Sequence, residues 1–121
     1  MHKKHLLLLL FSILSIHIFA QVAATKPNQE LGLVIGNVLD VANSKPVSFA
    51  SVLLINMADS SKKFIQIADK SGAFEFEKIP FAVYKLSVKA TNYTTLNIDS
   101  IHIRPERYDF NLGDVKLKPA S

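Results

Sequence analysis

The sequence predicts an all-β fold, a seven-stranded antiparallel sandwich with Greek-key connections. Three observations predict it. Beyond Leu31 the apolar residues recur with a period of two, not the 3.6 of a helix. The apolar runs are short and arrive roughly every ten residues. Gly, Pro, Asn or Asp, the residues that turn a chain, stand between them. No window carries a helical apolar stripe, so the crossover helices that a parallel α/β sheet requires have no source.

The first strand is read over Leu31–Leu39, and Asp40–Pro46 (Asn, Ser, Lys and Pro among them) turns the chain. The second is placed over Val47–Ile55 and the third over Phe64–Ala68. In Ala73–Glu77 alternation is strict, sending Phe74 and Phe76 to one face and Glu75 and Glu77 to the other. Tyr84–Ala90 repeats the device with Tyr84, Leu86, Val88 and Ala90 inward. Leu96 and Ile98, then Ile101 and Ile103, continue the pattern past Ser100. Val115 and Leu117 supply the last strand, with Asp114, Lys116 and Lys118 outward. Seven such strands suit an immunoglobulin-like or transthyretin-like sandwich. Its core is expected to include Val38, Val52, Leu54, Phe74, Phe76, Tyr84, Leu86 and Val88. A membrane barrel fits worse, since each of its strands needs about 9–11 residues and there must be about eight or more.

Length and composition bound the function. The chain has 121 residues, is 49% hydrophobic and 20% charged, and contains no cysteine. Residues 1–20 read as a secretory signal: a basic start at Met1–His5, an apolar run from Leu6 to Phe19, and a small residue, Ala20, before Gln21. The run is shorter than the ~20 apolar residues of a spanning helix and is interrupted by Ser12, Ser15 and His17. Cleavage is expected between Ala20 and Gln21, leaving an exported chain without a membrane span. Residues 21–30 are polar, contain Pro27, and read as a flexible lead-in. After Ala20 there are twelve Lys and Arg against ten Asp and Glu, a net charge of +2 with no basic stripe, which gives no case for nucleic acid. Removal of the signal leaves His102 as the only histidine. Zinc fingers, Cys–His nucleophiles and disulfide scaffolds are excluded. No cofactor or metal is expected, and the arithmetic argues against an enzyme.

The turns are more specific than the strands. In Ala68-Asp-Lys-Ser-Gly-Ala-Phe-Glu-Phe76, Asp69 can bond the backbone ahead of it, and Gly72 can take a positive φ before a strand begins. Ile79-Pro-Phe-Ala-Val-Tyr-Lys-Leu86 turns at Pro80 and restarts with an inward tyrosine. Gly36-Asn-Val-Leu-Asp40, Lys45-Pro-Val-Ser-Phe-Ala-Ser-Val52 and Ala90-Thr-Asn-Tyr93 complete an ordered series. Residues 31–118, which hold the series, resemble the carboxypeptidase regulatory-like domain. Two positions depart from the family pattern. Ala82 and Asn92 stand where the family usually has glycine, and asparagine tolerates the left-handed conformation better than most residues.

Within that family the chain is similar to the amino-terminal module of bacterial TonB-dependent-receptor-type outer-membrane proteins, notably in Asp59-Ser-Ser-Lys-Lys63 and in Leu112–Pro119. The resemblance implies a non-enzymatic periplasmic or outer-membrane domain of a Gram-negative-type bacterium. Its partner would be the plug and β-barrel region of the same or an associated protein, with residues 119–121 starting a linker. A free-standing secreted module binding a glycan or a peptide is the alternative. The family supplies no catalytic residue to transfer.

The remaining constellations are weak. Glu75 and Glu77 share a strand face roughly 7 Å apart, a spacing an acid/base pair could use, yet they read as a solvated face. His102 should face solvent between Ile101 and Ile103. The Asp69–Gly72 turn lacks the ligand series of a calcium loop. Lys62, Lys63, Arg104 and Arg107 read as a solvated rim, and among the tyrosines only Tyr93 and Tyr108 remain as stacking surfaces.

Overall fold

The computed structural model describes residues 31–121. Among these residues seven strands are formed: β1 (Leu31–Asp40), β2 (Ser51–Asn56), β3 (Lys63–Ile67), β4 (Ala73–Pro80), β5 (Ala82–Lys89), β6 (Leu96–Ile103) and β7 (Asp109–Leu117). They make two sheets, one in the order β4-β1-β7 and the other β3-β2-β5-β6. Only β2–β3 and β5–β6 are hairpins within a sheet. Every other connection crosses between the layers, which closes the sandwich in Greek-key fashion.

Period-two patterning supplies one apolar face per sheet, and the two faces meet. All eight residues expected in the core are buried there, with Tyr84 and Phe76 the largest of the fully enclosed side chains. The Phe74 and Phe76 rings meet edge to face at 6.1 Å, and Phe64 meets Tyr84 likewise at 6.3 Å. Burying the phenol leaves its hydroxyl in need of an acceptor, which the Pro80 carbonyl provides at 2.7 Å. Since β4 and β5 lie in different sheets and are separated only by Phe81, this bond fixes the corner where the chain changes layer.

Three strands change phase partway. The buried positions in β4 are Phe74 and Phe76 and then Ile79. In β6 the inward sequence passes from Leu96 and Ile98 to Ile101 and Ile103, and in β7 from Phe110 and Leu112 to Val115 and Leu117. Each slip of one residue is a β-bulge, seen as a register shift against the neighbouring strand. A residue with positive φ sits at each slip: Lys78 (56°), Ser100 (62°) and Gly113 (65°). Without the extra residue, everything beyond would point to the wrong face.

Several boundaries differ from the sequence expectation. The second strand starts at Ser51, not Val47, because Phe49 has φ 61° and cannot continue a strand. Val47 and Ala50 are nonetheless buried, so the apolar pattern there belongs to a loop lying on the core. The last strand begins at Asp109, and it runs parallel to β1 from Leu33↔Asp109 to Asp40↔Leu117. The sandwich is therefore antiparallel in every strand pair except this one.

Candidate functional site

The residues singled out in the turns are all at the backbone's service. Asp69 Oδ1 accepts hydrogen bonds from the Ser71 amide (2.9 Å), the Ser71 hydroxyl (2.8 Å) and the Ala73 amide (3.0 Å). These contacts, the Ser71 hydroxyl first, hold its carboxyl below the usual aspartate range. Gly72 has φ 85°, and a Cβ there would strike the Val38 carbonyl; its own carbonyl receives the Val38 amide at 2.7 Å. Pro80 closes β4 opposite Leu31. Asn92 has φ 71°, its carbonyl accepting from the Ala120 amide at 2.9 Å, whereas Ala82 is not among the residues with positive φ. Ala20 and Gln21 lie outside the described residues.

The other candidates stay apart. Glu75, Glu77 and His102 are exposed on outer faces. Tyr93 is half-buried, and its hydroxyl donates to Asp40 Oδ2 at 2.7 Å, so it is no free stacking surface. Tyr108 is 51% exposed, but its carbonyl meets the Leu33 amide near the start of β1, whereas Tyr93 sits at the Asp40 end. Seven residues of strand, about 23 Å, separate the two positions. Arg107 covers the Phe110 ring at 4.1 Å, and Arg104 faces Glu106 at 3.8 Å in an exposed, weak pair. A shallow groove of about 330 Å³ over β1 and β4 is lined by Asn37, Asp69, Glu75 and Asn111, its Asp69 carboxylate already committed to the turn. Among the described residues no three His, Asp or Glu side chains gather as a metal would need, and no helix is long and apolar enough to cross a membrane.

The outer face of the four-stranded sheet is different. Ile65 and Ile67 on β3 are 62% and 57% exposed, an unusual exposure for two isoleucines on an edge strand. Strand register sets their neighbours in rows. Ile65 lies beside Leu53, and Leu53 beside Ser87. On one side runs the row Lys63, Ile55, Lys85; on the other runs Ile67, Ser51, Lys89. An aliphatic strip is thus bracketed by three lysines. The small side chains of Ser51 and Ser87 leave a hollow of about 90 Å³ between Leu53, Ile65 and Lys89, and a second hollow of about 200 Å³ opens at Ile55, Met57 and Lys85.

Backbone polarity completes the geometry. Asn56 donates to the Lys62 carbonyl and Ala68 to the Ala50 carbonyl, so even-numbered positions of this pair carry the bonds between β2 and β3. By the alternation of an antiparallel ladder, the amides and carbonyls of Lys63, Ile65 and Ile67 then point away from β2, toward the open edge. The same three residues carry their side chains on the outer face. Sequence reasoning placed this strand but not its exposure. The available signal was the lack of polar alternation in Phe64-Ile-Gln-Ile-Ala68, which has apolar residues on both faces.

No family model and no curated protein matches the sequence. Solved structures match the fold. The major pilin subunit BcpA of Bacillus cereus aligns with 75% of this chain and 31% of its own, at 16% identity and TM-score 0.60. A candidate carbohydrate-binding protein from Bacteroides uniformis aligns over 74% and 42% respectively, at 11% identity and TM-score 0.56. The 3-chlorocatechol 1,2-dioxygenase of Rhodococcus opacus aligns over 76% and 61%, at 11% identity and TM-score 0.56. The chain spans about a third of the pilin's length. A pilin, a candidate binding protein and an oxygenase sharing one sandwich establish the fold and leave the function to the surface.

Proposed function

We propose that this chain is an exported, non-enzymatic interaction module, the amino-terminal periplasmic domain of an outer-membrane receptor or transport-type β-barrel protein. The observation that carries the interaction role is the exposed Ile65–Ile67 edge with its lysine bracket. Exposed apolar surface beside charge is what a docking face offers. The ordered turn motifs and the signal-like first twenty residues support the receptor-domain and export parts of the reading. Of the two ligand classes, the face favours peptide over glycan: it is aliphatic, and the exposed Tyr108 stands at another part of the molecule, near Gly32 and Leu33.

Envelope fractionation of the source bacterium tests the proposal. The protein should begin at Gln21, sediment with the outer membrane and cross-link to a β-barrel polypeptide, encoded in frame beyond Ser121 or by a neighbouring gene. A cytoplasmic protein retaining Met1 would overturn it. An authentic stop after Ser121 with no barrel partner would leave a free-standing binding module as the better account.

A further inference from the structure

We propose that the β3 edge receives an extended segment of a partner protein as an added antiparallel strand, one in which apolar residues alternate and acidic residues lie near Lys63. The inference rests on the interaction-module reading and names the site and the chemistry of its occupant.

Three observations converge on the edge. Lys63, Ile65 and Ile67 aim outward amides and carbonyls that no described residue pairs, so main-chain hydrogen bonds are available to an incoming strand. In that position, alternate residues of the newcomer fall on the outer face beside Ile65 and Ile67 and bury their exposed side chains. The intervening residues of the newcomer fall on the inner side, next to Phe64, whose ring touches Tyr84 while remaining only partly buried. One docking event thus covers apolar surface on both faces of β3.

Charge selects the occupant. Lys62 and Lys63 stand at one end of β3 and Lys70 follows the other, with Lys85 and Lys89 on the same outer face. The nearby carboxylates are Asp59 and Asp69, bonded by Ser61 and Ser71 within their own turns, and Asp99, on the outer face of β6 beside Lys85. Five lysines against these three carboxylates leave the patch an excess of positive charge. A second copy docking edge to edge would bring two such lysine groups together, which like-charge repulsion opposes. An acidic, apolar strand meets both requirements.

A capped peptide, Asp-Val-Thr-Ile-Val-Glu-Asp, is the probe, and its counterpart with lysine at each acidic position is the control. Peptide is titrated into the purified, isotopically labelled protein, with amide shifts as the readout. The expected result is saturable binding of the acidic peptide, largest shifts at the Ile65 and Ile67 amides, affinity that falls as salt rises, and binding of the control about tenfold weaker or worse. Lys63→Glu should narrow the preference between the peptides, since Lys62, Lys70, Lys85 and Lys89 remain. Ile65→Pro removes an amide that β2 does not use and should abolish binding. Should that variant fail to fold, Ile65→Lys on the exposed face serves in its place. Equal binding of both peptides, shifts centred on β6 or on the β4-β1-β7 sheet, or no binding at ~1 mM peptide would overturn the proposal. So would self-association that protects the Ile65 amide, which would make a second copy the occupant. If the peptide fails while the protein still cross-links to a barrel, the edge assignment falls and the module reading stands.

Discussion

Tyr93 and Asp40 are 53 residues apart in sequence and 2.7 Å apart in space, the phenolic hydroxyl donating to Oδ2 of the carboxylate. The bond joins the turn between β5 and β6, in one sheet, to the end of β1, in the other. Asp40 Oδ1 meanwhile accepts from the Ala42 amide at 2.7 Å and the Asn43 amide at 3.3 Å, so one carboxylate both closes its own turn and ties the layers. Beside it the Thr94 amide meets the Lys118 carbonyl and the Val41 amide the Leu117 carbonyl, drawing in the end of β7.

Tyr93→Phe removes the tie while keeping the ring, and should lower the melting temperature by a few degrees. The bond carries a pH signature. The Tyr93 hydroxyl, then the Ala42 amide, hold Asp40 below its ordinary value of 3.8, so its contribution is present above that pH and is lost as pH falls through the folded-state value. The same bond raises Tyr93 above its ordinary value of 10.0, so at the alkaline end the contribution persists past that pH and disappears as pH rises through the raised value. Melting temperature measured against pH should show the wild type losing its advantage over Tyr93→Phe at both extremes. A constant difference across the range would show that the bond is not what the substitution removes.

Two phenylalanines should respond in opposite directions. Phe76 is 1% exposed between the sheets, and Phe76→Ala should cost about 3–5 kcal/mol in urea unfolding. Phe49 is 65% exposed and held at φ 61°, a conformation that costs a residue with a Cβ roughly 1–2 kcal/mol. Phe49→Gly gives up little burial and part of the gain is offset by backbone entropy, leaving an expected stabilisation of about 0.5–1 kcal/mol. Destabilisation by Phe49→Gly would mean that the exposed ring makes contacts worth more than the backbone conformation costs.

Deleting Ser100 tests the bulge in β6. The shortened strand would turn Ile101 and Ile103, both buried, outward and bring His102 in. The deletion should abolish cooperative unfolding or release β6, whereas Ser100→Gly, which suits φ 62°, should leave stability unchanged or slightly higher. Amide hydrogen exchange across Leu96–Ile103 distinguishes a released strand from global unfolding.

Alternation in the sequence told which face each residue occupies, and at Phe74–Glu77 and Tyr84–Val88 that was enough to locate strands and core. It said nothing about which strands lie side by side. The parallel pairing of β1 with β7 is a relation between distant segments, and no local pattern encodes it. Val47 to Ala50 looked like strand because Val47 and Ala50 cover the core. Only the left-handed backbone at Phe49, invisible in a run of apolar letters, makes it a loop. Tyr93 was legible as an amphipathic ring but not as a tie, since its partner sits at the end of another strand. The β3 edge was the hardest to read: apolar letters at Ile65 and Ile67 suggest burial, and only the structure shows them exposed on an edge strand with no described element beyond it.

The parallel β1–β7 pair has a mechanical consequence. The chain enters β1 at Leu31, opposite the β4 end at Pro80, and leaves β7 at Leu117, opposite Asp40 at the far pole of the same strand. Whatever is joined to the two ends therefore pulls along neighbouring strands in opposite directions. Hydrogen bonds of the ladder lie across that axis and take the load together, in shear. A hairpin pulled at its open end would instead surrender its bonds one at a time. The sandwich is thus arranged as a link in series, with its directly tethered strands gripping each other side by side.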